Sequence, residues 1–213
     1  MIAIVDYGMG NLRSVHKAFE SQGFSSQVTN DREIILNSDG VVLPGVGAFG
    51  DCIKNLGEYD LVDTIKQIIK KGKPYLGICL GYQILFDSSE ESPDQQGLGV
   101  IKGTVVKFRF NKESNMKVPH MGWNQIKIKK DTEILNGIPN ESWFYFVHSY
   151  YPVPSDSSLV AATSDYGIEF AAAIQKDNIF ACQFHPEKSS DLGLKILRNF
   201  AKSCGQNLEE KAV

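Results

Sequence analysis

A cysteine enclosed by two glycines is the first candidate for chemistry in this chain. Cys79 lies between Gly77 and Gly81 in KPYLGICLGYQILF (73–86), where an apolar run ends. The pattern G-x-nucleophile-x-G is typical of a strand-to-helix turn that holds a nucleophile on a strained backbone. At such a turn the N–H of Leu80 would face the oxyanion that forms when a carbonyl is attacked. A cysteine in apolar surroundings is also an ordinary core residue, so this segment alone leaves both interpretations open.

A histidine and a glutamate two residues apart form the second candidate group. CQFHPEKSS (182–190) places His185 and Glu187 just after the last predicted strand. In an extended segment such residues share one side, and Pro186 favours extended geometry at His185. A carboxylate bound to one ring nitrogen leaves the other nitrogen free to take a proton from a thiol. Alone, His-Pro-Glu is typical of a surface turn; together with Cys79 it predicts a cysteine–histidine–carboxylate triad.

A glycine-rich segment, LPGVGAFGD (43–51), follows another predicted strand. It can be a plain surface turn, a phosphate-binding loop or a backbone donor close to the cysteine. GxxxxGK[ST] is absent, and GVGAFG (45–50) matches GxGxxG, which by itself is only a weak signal for a nucleotide site. A second N–H donor for an oxyanion fits the segment better.

The elements that must position these residues alternate between strands and helices in the first 90 residues. Apolar runs and helical spacing predict strands at 2–7, 25–30, 40–45 and 74–78, and helices at 11–22, 61–71 and 80–86. From Leu98 onward the pattern is strand-like, with a hairpin turn at 176–178, until a helix at 191–204. This order predicts an α/β fold: an open, mostly parallel sheet flanked by helices, with an antiparallel extension. Active sites of such sheets lie outside the carboxyl ends of the strands, where all three candidate segments fall.

Composition limits the class of protein. The chain has 213 residues, 42% hydrophobic and 22% charged, with a net charge of −3. This balance predicts a soluble globular protein and argues against binding to nucleic acid or to an anionic membrane. No apolar stretch reaches the roughly 20 residues needed to span a bilayer, and the first residues do not resemble a signal peptide. The four cysteines are scattered without a CxxC pair, which predicts reduced thiols, a cytoplasmic location and no metal site or cofactor.

The three candidate segments, in this order, resemble the class I (triad) glutamine amidotransferases. The match rests on PGVG (44–47), GICLGYQ (77–83) and HPE (185–187). Further motifs resemble one branch of that family, the glutaminase subunits of imidazole glycerol phosphate synthase. They are IVDYGMGNLRSV (4–15), PGVGAFGD (44–51), VPHMGWN (118–124) and YFVHSYY (145–151). The resemblance implies a flavodoxin-like fold, with one amidotransferase domain at 1–204 and a polar tail at 205–213.

The resemblance also implies roles for individual residues. Cys79 would be the nucleophile, His185 the general base and acid, and Glu187 the carboxylate that orients it. Oxyanion donors would come from the backbone of Val46 and Leu80. The residues implied to hold the substrate, L-glutamine, are Gly47, Gln83, His148, Ser149 and Tyr150.

A partner follows from the same resemblance. Ammonia released into water would be protonated and lost, and the resemblance supplies an acceptor: a (β/α)₈-barrel cyclase subunit forming a heterodimer with this chain. Interface candidates near the site are Trp123, Tyr145 and Lys188, because aromatic residues are enriched at interfaces. The flanking glycines make the Gly45–Val46 peptide easy to reorient, so the partner could complete the oxyanion site.

Other functions share parts of this pattern. A glutaminase subunit for anthranilate, aminodeoxychorismate or pyridoxal phosphate synthesis would share the triad, but PGVGAFGD and PHMGWN argue against it. A non-catalytic regulatory protein on the same fold would be expected to lack the cysteine or the histidine, and both are present. A cysteine hydrolase that has no partner would hydrolyse its substrate at a high rate by itself, with no dependence on a cyclase.

Overall fold

The main sheet is mixed and carries the candidate residues on its parallel half. The computed structural model describes residues 1–111 and 115–206. Among these residues the main sheet has eight strands: β1 (Ile2–Val5), β2 (Ser26–Thr29), β3 (Gly40–Gly45), β4 (Tyr75–Cys79), β8 (Lys127–Ile128), β11 (Val160–Asp165), β12 (Glu169–Lys176) and β13 (Ile179–Cys182). Their order is β2-β1-β3-β4-β13-β12-β11-β8, parallel from β2 to β13 and antiparallel beyond it. The predicted mostly parallel sheet with an antiparallel extension is confirmed.

Helices cover both faces of this sheet. Within the described residues they are α1 (Leu12–Glu20), α2 (Arg32–Asn37), α3 (Phe49–Glu58), α4 (Leu61–Lys70), α5 (Leu80–Gln83) and α6 (Ser190–Ser203). Alternate strand residues point to opposite faces, so Ile2 and Ile4 pack with α1 and α6 while Ala3 and Val5 pack with α3 and α4. Each face buries its own apolar cluster, which is the reason the parallel strands are apolar throughout.

Two small sheets lie beside the active-site end of the main sheet. Within the described residues, one contains β5 (Ser88–Ser89), β6 (Gly103–Lys107) and β10 (Tyr150–Pro154), and the other pairs β7 (His120–Gln125) with β9 (Trp143–His148). In β9 the burial alternates, with Phe144 and Phe146 inside and Trp143 and Tyr145 outside. Residues 148–150, where β9 passes into β10 through Ser149, therefore lie between the two small sheets.

Two helices are absent from the sequence-based prediction. α2 has only six residues, too few for a periodic pattern, and is fixed by Asp31, whose carboxylate accepts from Glu33 N and Ile34 N. α3 begins inside the segment predicted as a glycine-rich loop; Phe49, Cys52 and Leu56 form its buried stripe despite Gly50 and Gly57. The helix predicted at 80–86 ends at Gln83, after one turn.

The predicted tail at 205–213 lies almost wholly outside the described residues, which reach Gln206. Gln206 itself contacts the N-terminal part of the chain, because its side chain bonds both the N–H and the carbonyl of Ser25. Within the described part of the chain, every helix is too short or too polar to span a bilayer.

Candidate active site

Cys79 occupies a strained turn between β4 and α5. Its φ is 55° and its ψ is −105°, a conformation that L-residues rarely adopt. The flanking glycines are required by close approach. A Cβ on Gly81 would lie 1.8 Å from the carbonyl oxygen of Leu43, and one on Gly77 would lie 2.6 Å from that of Gly81. The G-x-C-x-G spacing therefore reflects the close packing of α5 against β3 and β4.

His185 and Glu187 form a buried pair close to the end of β13. The Nδ1 of His185 lies 2.8 Å from Oε1 of Glu187, and the side chains are 2% and 1% exposed. His185 is extended, as expected before proline, but Pro186–Lys188 form a 3-10 turn instead of continuing the strand. The structure brings the two groups together, as predicted, but by that turn, because proline fits the first helical position.

The second ring nitrogen of His185 faces the cysteine. Within the described part of the chain, Nε2 is buried and has no hydrogen-bond partner. Burial lowers the pKa of His185, but the neighbouring Cys79 and the Glu187 carboxylate outweigh burial and raise it from 6.5 to about 10. The site therefore favours the imidazolium form of His185, held by Glu187 on one side and facing Cys79 on the other. The ordinary pKa of histidine is 6.5, so the raised pKa of His185 makes its charged form a stabilising group in the fold. This contribution to stability is fully present below about pH 6.5 and is lost as the pH rises through about 10.

Glu187→Gln is expected to lower the pKa of His185. The amide can still accept from Nδ1, but it lacks the charge that favours the imidazolium. We expect a fall of about 1 to 3 pH units, measured by NMR titration of the ¹⁵N-labelled ring. The alkaline limit of any activity that needs the imidazolium should move to lower pH by the same amount. An unchanged titration would show that Glu187 does not set the charge of His185.

Gln183 contacts Cys79 and was not predicted as a site residue. Its Nε2 lies 3.5 Å from the Sγ of Cys79, and its Oε1 accepts from Nε2 of Gln83 at 3.0 Å. Gln183 is fully buried, so Gln83 fixes which end of its amide faces the sulfur. The available signal was its position two residues before His185 in an extended segment, which places both on one side.

A cavity of about 370 Å³ opens in front of Cys79 and His185. β3 and β4 pair Gly45 with Cys79, so the glycine-rich loop begins beside the nucleophile. Nine of the predicted site residues line the cavity: Val46, Gly47, Cys79, Leu80, Gln83, His148, Ser149, Tyr150 and His185. Glu187 lies behind His185 and is not part of the wall. The remaining lining residues are Glu91, Pro119 and Val147.

Glu91 is the acidic residue of that wall and was also not predicted. Its Oε2 accepts from the backbone N–H of Phe49 at 2.8 Å, which ties the carboxylate to the first residue of α3. Because the sequence from 87 to 95 has no helical or strand period, nothing in it indicated that this acid faces the site.

The three interface candidates form one cluster on the rim. Trp123 is 48% exposed, and its ring is 6.3 Å from that of Tyr145, its cross-strand neighbour. The Nζ of Lys188 lies 5.8 Å from the centre of the Tyr145 ring, which in turn is 6.5 Å from the ring of His185. Met121 and Trp143 extend this exposed apolar face along β7 and β9. A patch of this kind on a folded chain is typical of a protein-binding surface.

Comparison with known families accounts for this arrangement. The family model described as glutamine amidotransferase class-I matches residues 3–204. The chain belongs to the class I glutamine amidotransferases. The match spans the turn at Cys79, the His185–Glu187 pair and the glycine-rich loop, so the family resemblance seen in the sequence is confirmed. Among residues 1–111 and 115–206, this amidotransferase has no cluster of His, Cys, Asp or Glu side chains that could hold a metal ion.

Relatives of this amidotransferase align over nearly its whole length. "Imidazole glycerol phosphate synthase subunit HisH" of Syntrophotalea carbinolica is 53% identical over 203 residues, 94% of this chain and 98% of the relative. The proteins of the same name from Aquifex aeolicus and Methanocaldococcus jannaschii are 52% and 50% identical, over 94% and 95% of this chain and 96% and 99% of theirs.

Solved structures share the fold at lower identity. A structure described as glutamine amidotransferase has a TM-score of 0.71 at 20% identity and covers 97% of this chain and 100% of its own. The glutaminase domain of Trypanosoma brucei CTPS with bound acivicin has a TM-score of 0.64 at 19% identity, covering 94% and 93%. At this identity the likeness concerns the fold alone.

Proposed function

We propose that this chain is the glutaminase subunit of imidazole glycerol phosphate synthase and hydrolyses L-glutamine to glutamate and ammonia. The observation that carries the proposal is the meeting of Cys79, on its strained turn, with the buried His185–Glu187 pair at one cavity. Identities of about 50% over nearly the full length to proteins of that name support the choice of synthase.

The reaction proceeds through a thioester. The sulfur of Cys79 attacks the side-chain amide carbon of glutamine, and the oxygen becomes an oxyanion. His185 donates its Nε2 proton to the departing nitrogen, so ammonia leaves and a γ-glutamyl thioester remains. The neutral imidazole then takes a proton from water, whose oxygen attacks the thioester and releases glutamate and the thiolate. Glu187 keeps Nδ1 protonated and the ring oriented throughout.

The oxyanion receives backbone N–H groups from two segments. Leu80 follows the nucleophile directly, and Val46 lies on the loop that starts beside it. Each donor of this type contributes about 3–4 kcal/mol to the transition state when well placed. α5 has a single turn, so its summed peptide dipole is small, and these individual N–H groups together with His185 supply the electrostatic stabilisation.

The cavity wall suits the two ends of glutamine. The Glu91 carboxylate is the partner for the α-ammonium group, because opposite charges pair strongly in a partly enclosed site. Residues 148–150 and Gly47 offer backbone groups for hydrogen bonds to the substrate, and Gln83 also lines the cavity. A pocket with one anchored carboxylate and one nucleophile thus fits an amino acid with a side-chain amide.

The ammonia is passed to a partner subunit. The relatives are named as subunits of a synthase, and we propose a (β/α)₈-barrel cyclase that forms a heterodimer with this chain. The rim formed by Trp123, Tyr145 and Lys188 is the proposed docking surface, since it adjoins His185. Docking there would cover the cavity and exclude water from the released ammonia.

Trp123→Ala is expected to weaken binding of the cyclase subunit by about 10- to 100-fold. The indole is half-exposed and makes a T-shaped contact with the ring of Tyr145, so it is held in place while its outer face is free for a partner. Titration by calorimetry measures the affinity, and Val153→Ala, which also truncates an exposed apolar side chain, serves as the matched control. Equal affinities for wild type and Trp123→Ala would remove the tryptophan from the interface.

The choice of synthase is tested with a panel of partners. The purified chain is mixed in turn with the cyclase subunit and with the synthase subunits for anthranilate, aminodeoxychorismate and pyridoxal phosphate. Glutamate release should rise with the cyclase and its nucleotide ligand, and with no other partner. Stimulation by a different synthase subunit, or full turnover without any partner, would contradict the proposal.

A further inference from the structure

Two buried histidines, one in the cavity wall and one behind it, belong to a continuous hydrogen-bond chain. His120 on β7 and His148 on β9 are opposite one another in the ladder, and their side chains are 2% and 6% exposed. The Nδ1 of His120 lies 2.9 Å from the Nε2 of His148. The Nδ1 of His148 lies 2.8 Å from the carbonyl oxygen of Tyr150. Neither histidine contributes a reacting atom to the mechanism above.

The direction of this chain is fixed at its far end by Asn124. The Nδ2 of Asn124 donates to the carbonyl of Asp165 at 2.8 Å, while its Oδ1 accepts from Gln125 N at 2.8 Å. The amide is therefore oriented, and its second N–H faces the Nε2 of His120 at 3.3 Å. That nitrogen must be an acceptor, so the proton of His120 resides on Nδ1.

The direction is fixed independently at the near end. A carbonyl oxygen only accepts, so Tyr150 requires a proton on Nδ1 of His148. Its Nε2 is then the acceptor that the Nδ1–H of His120 needs. Burial lowers the pKa of His120 to about 4 and that of His148 to about 3, which keeps each ring neutral with a single proton. Both ends thus demand the same pair of tautomers.

The chain continues from Tyr150 to the nucleophile. The Tyr150 carbonyl also accepts from Nε2 of Gln83 at 3.0 Å. The second proton of that amide goes to Oε1 of Gln183 at 3.0 Å, and Gln183 contacts the Sγ of Cys79 at 3.5 Å. Both lone pairs of the carbonyl are occupied, so its position is set jointly by His148 and Gln83.

The ring of His120 is held in plane by aromatic neighbours. Tyr166 stacks on it at 4.0 Å between ring centres, and Phe146 at 4.8 Å, both tilted by 23°. The following residues of β7, Met121 and Trp123, belong to the exposed face. His120 therefore connects that face of β7 with the segment 148–150 that lines the cavity.

We propose that His120 is a positioning residue for glutamine: its Nδ1–H holds His148 in the Nδ1–H tautomer, which fixes the Tyr150 carbonyl and the substrate-binding backbone at 148–150. The proposal rests on the proposed glutaminase function. Residues 148–150 form the wall of the cavity, whereas Cys79 and His185 carry the chemistry. Loss of the hydrogen bond therefore affects glutamine binding more than turnover.

The test compares two substitutions in the complex with the cyclase subunit and its nucleotide ligand. His120→Phe keeps an aromatic ring between Tyr166 and Phe146 but removes the donor. His120→Asn retains an N–H donor at the position of Nδ1. We expect the KM for glutamine to rise about 5- to 10-fold in His120→Phe with kcat within about twofold, and to stay within about threefold of wild type in His120→Asn. His16→Phe, at a histidine outside the site, is the control and should leave KM unchanged.

NMR of the ¹⁵N-histidine-labelled wild-type chain gives a readout that does not depend on activity or on folding of a variant. Both His120 and His148 should be neutral Nδ1–H tautomers. An Nε2–H tautomer at either ring, an unchanged KM in His120→Phe, or an Asn variant as impaired as the Phe variant would overturn the proposal. Absence of Cys79-dependent glutamate release would instead refute the glutaminase function, and the tautomers would still decide the role of His120.

Discussion

Cys79→Ala is expected to abolish glutamine hydrolysis, with a fall in kcat of at least about 10⁴-fold in the complex with the cyclase subunit. In the proposed mechanism the sulfur forms the covalent intermediate, and no other side chain of the cavity wall is a comparable nucleophile. The smaller side chain fits the positive-φ turn no worse than cysteine, because both carry a Cβ. Glutamate release measured at saturating glutamine gives kcat, and calorimetric titration with the cyclase shows that docking survives.

The matched control for this prediction is Cys204→Ala. Cys204 is also buried, but it lies at the end of α6 beside Gly40, at the opposite end of the sheet from the cavity. Its truncation should leave kcat and KM for glutamine within about twofold of wild type and lower only stability, because it leaves a small cavity. A Cys79→Ala protein that retains more than about one hundredth of the wild-type kcat would refute the assignment of the nucleophile.

His185→Ala is expected to lower kcat by about 10³-fold or more, within the range for loss of a group that serves as both acid and base. In the proposed mechanism the substitution removes the proton donor for ammonia and the positive charge beside the sulfur. Two measurements separate these effects: kcat for glutamine, and the rate at which iodoacetamide alkylates Cys79 at pH 7. Both should fall, because the alkylation rate follows the thiolate fraction.

Glu187→Gln should lie between wild type and His185→Ala in both measurements. The amide keeps the ring in place but lowers the pKa of His185. His16→Ala is the control. His16 lies on α1, outside the cavity wall, and its Nδ1 is 2.8 Å from the Oγ of Ser26 on β2. If His185→Ala hydrolysed glutamine at the wild-type rate, a different base would have to be sought on the cavity wall.

The parallel half of the fold could be predicted because its signals are local. β3 and β4 are apolar runs closed by glycine or proline, and α4 has an uninterrupted apolar stripe. α2 and α3 could not be predicted in this way. The short α2 depends on one side-chain cap, and α3 contains two glycines whose cost is offset by tertiary burial of Phe49, Cys52 and Leu56.

The same difference between local signals and tertiary contacts separates the site residues that were predicted from those that were not. Cys79 and His185 were found because their neighbours, glycine and proline, restrict the backbone in ways that the sequence reveals. Glu91 and Gln183 were not found, because their positions depend on contacts with remote parts of the chain. Glu91 is held by the N–H of Phe49 in the first turn of α3, and Gln183 is held by Gln83, a hundred residues earlier. Contacts of this kind come from topology and leave no local pattern.

The exposed face around Trp123 was predicted in part from the sequence. The structure buries Phe144 and Phe146 and leaves Tyr145, an interface candidate from the sequence, on the outer side of β9. The prediction that this face binds a partner stays a prediction, but the T-shaped contact with Tyr145 and the proximity of Lys188 make Trp123 its natural test.

The most direct test of the glutaminase mechanism is labelling with a glutamine analogue whose side-chain amide is replaced by a chloromethyl ketone. The wild-type chain, alone and with the cyclase subunit and its nucleotide ligand, is incubated with the analogue and digested for mass spectrometry. We predict one label per chain, on Cys79, with protection by glutamine and a faster reaction in the liganded complex. Labelling of Cys52, Cys182 or Cys204 instead, or labelling that glutamine does not slow, would contradict the account.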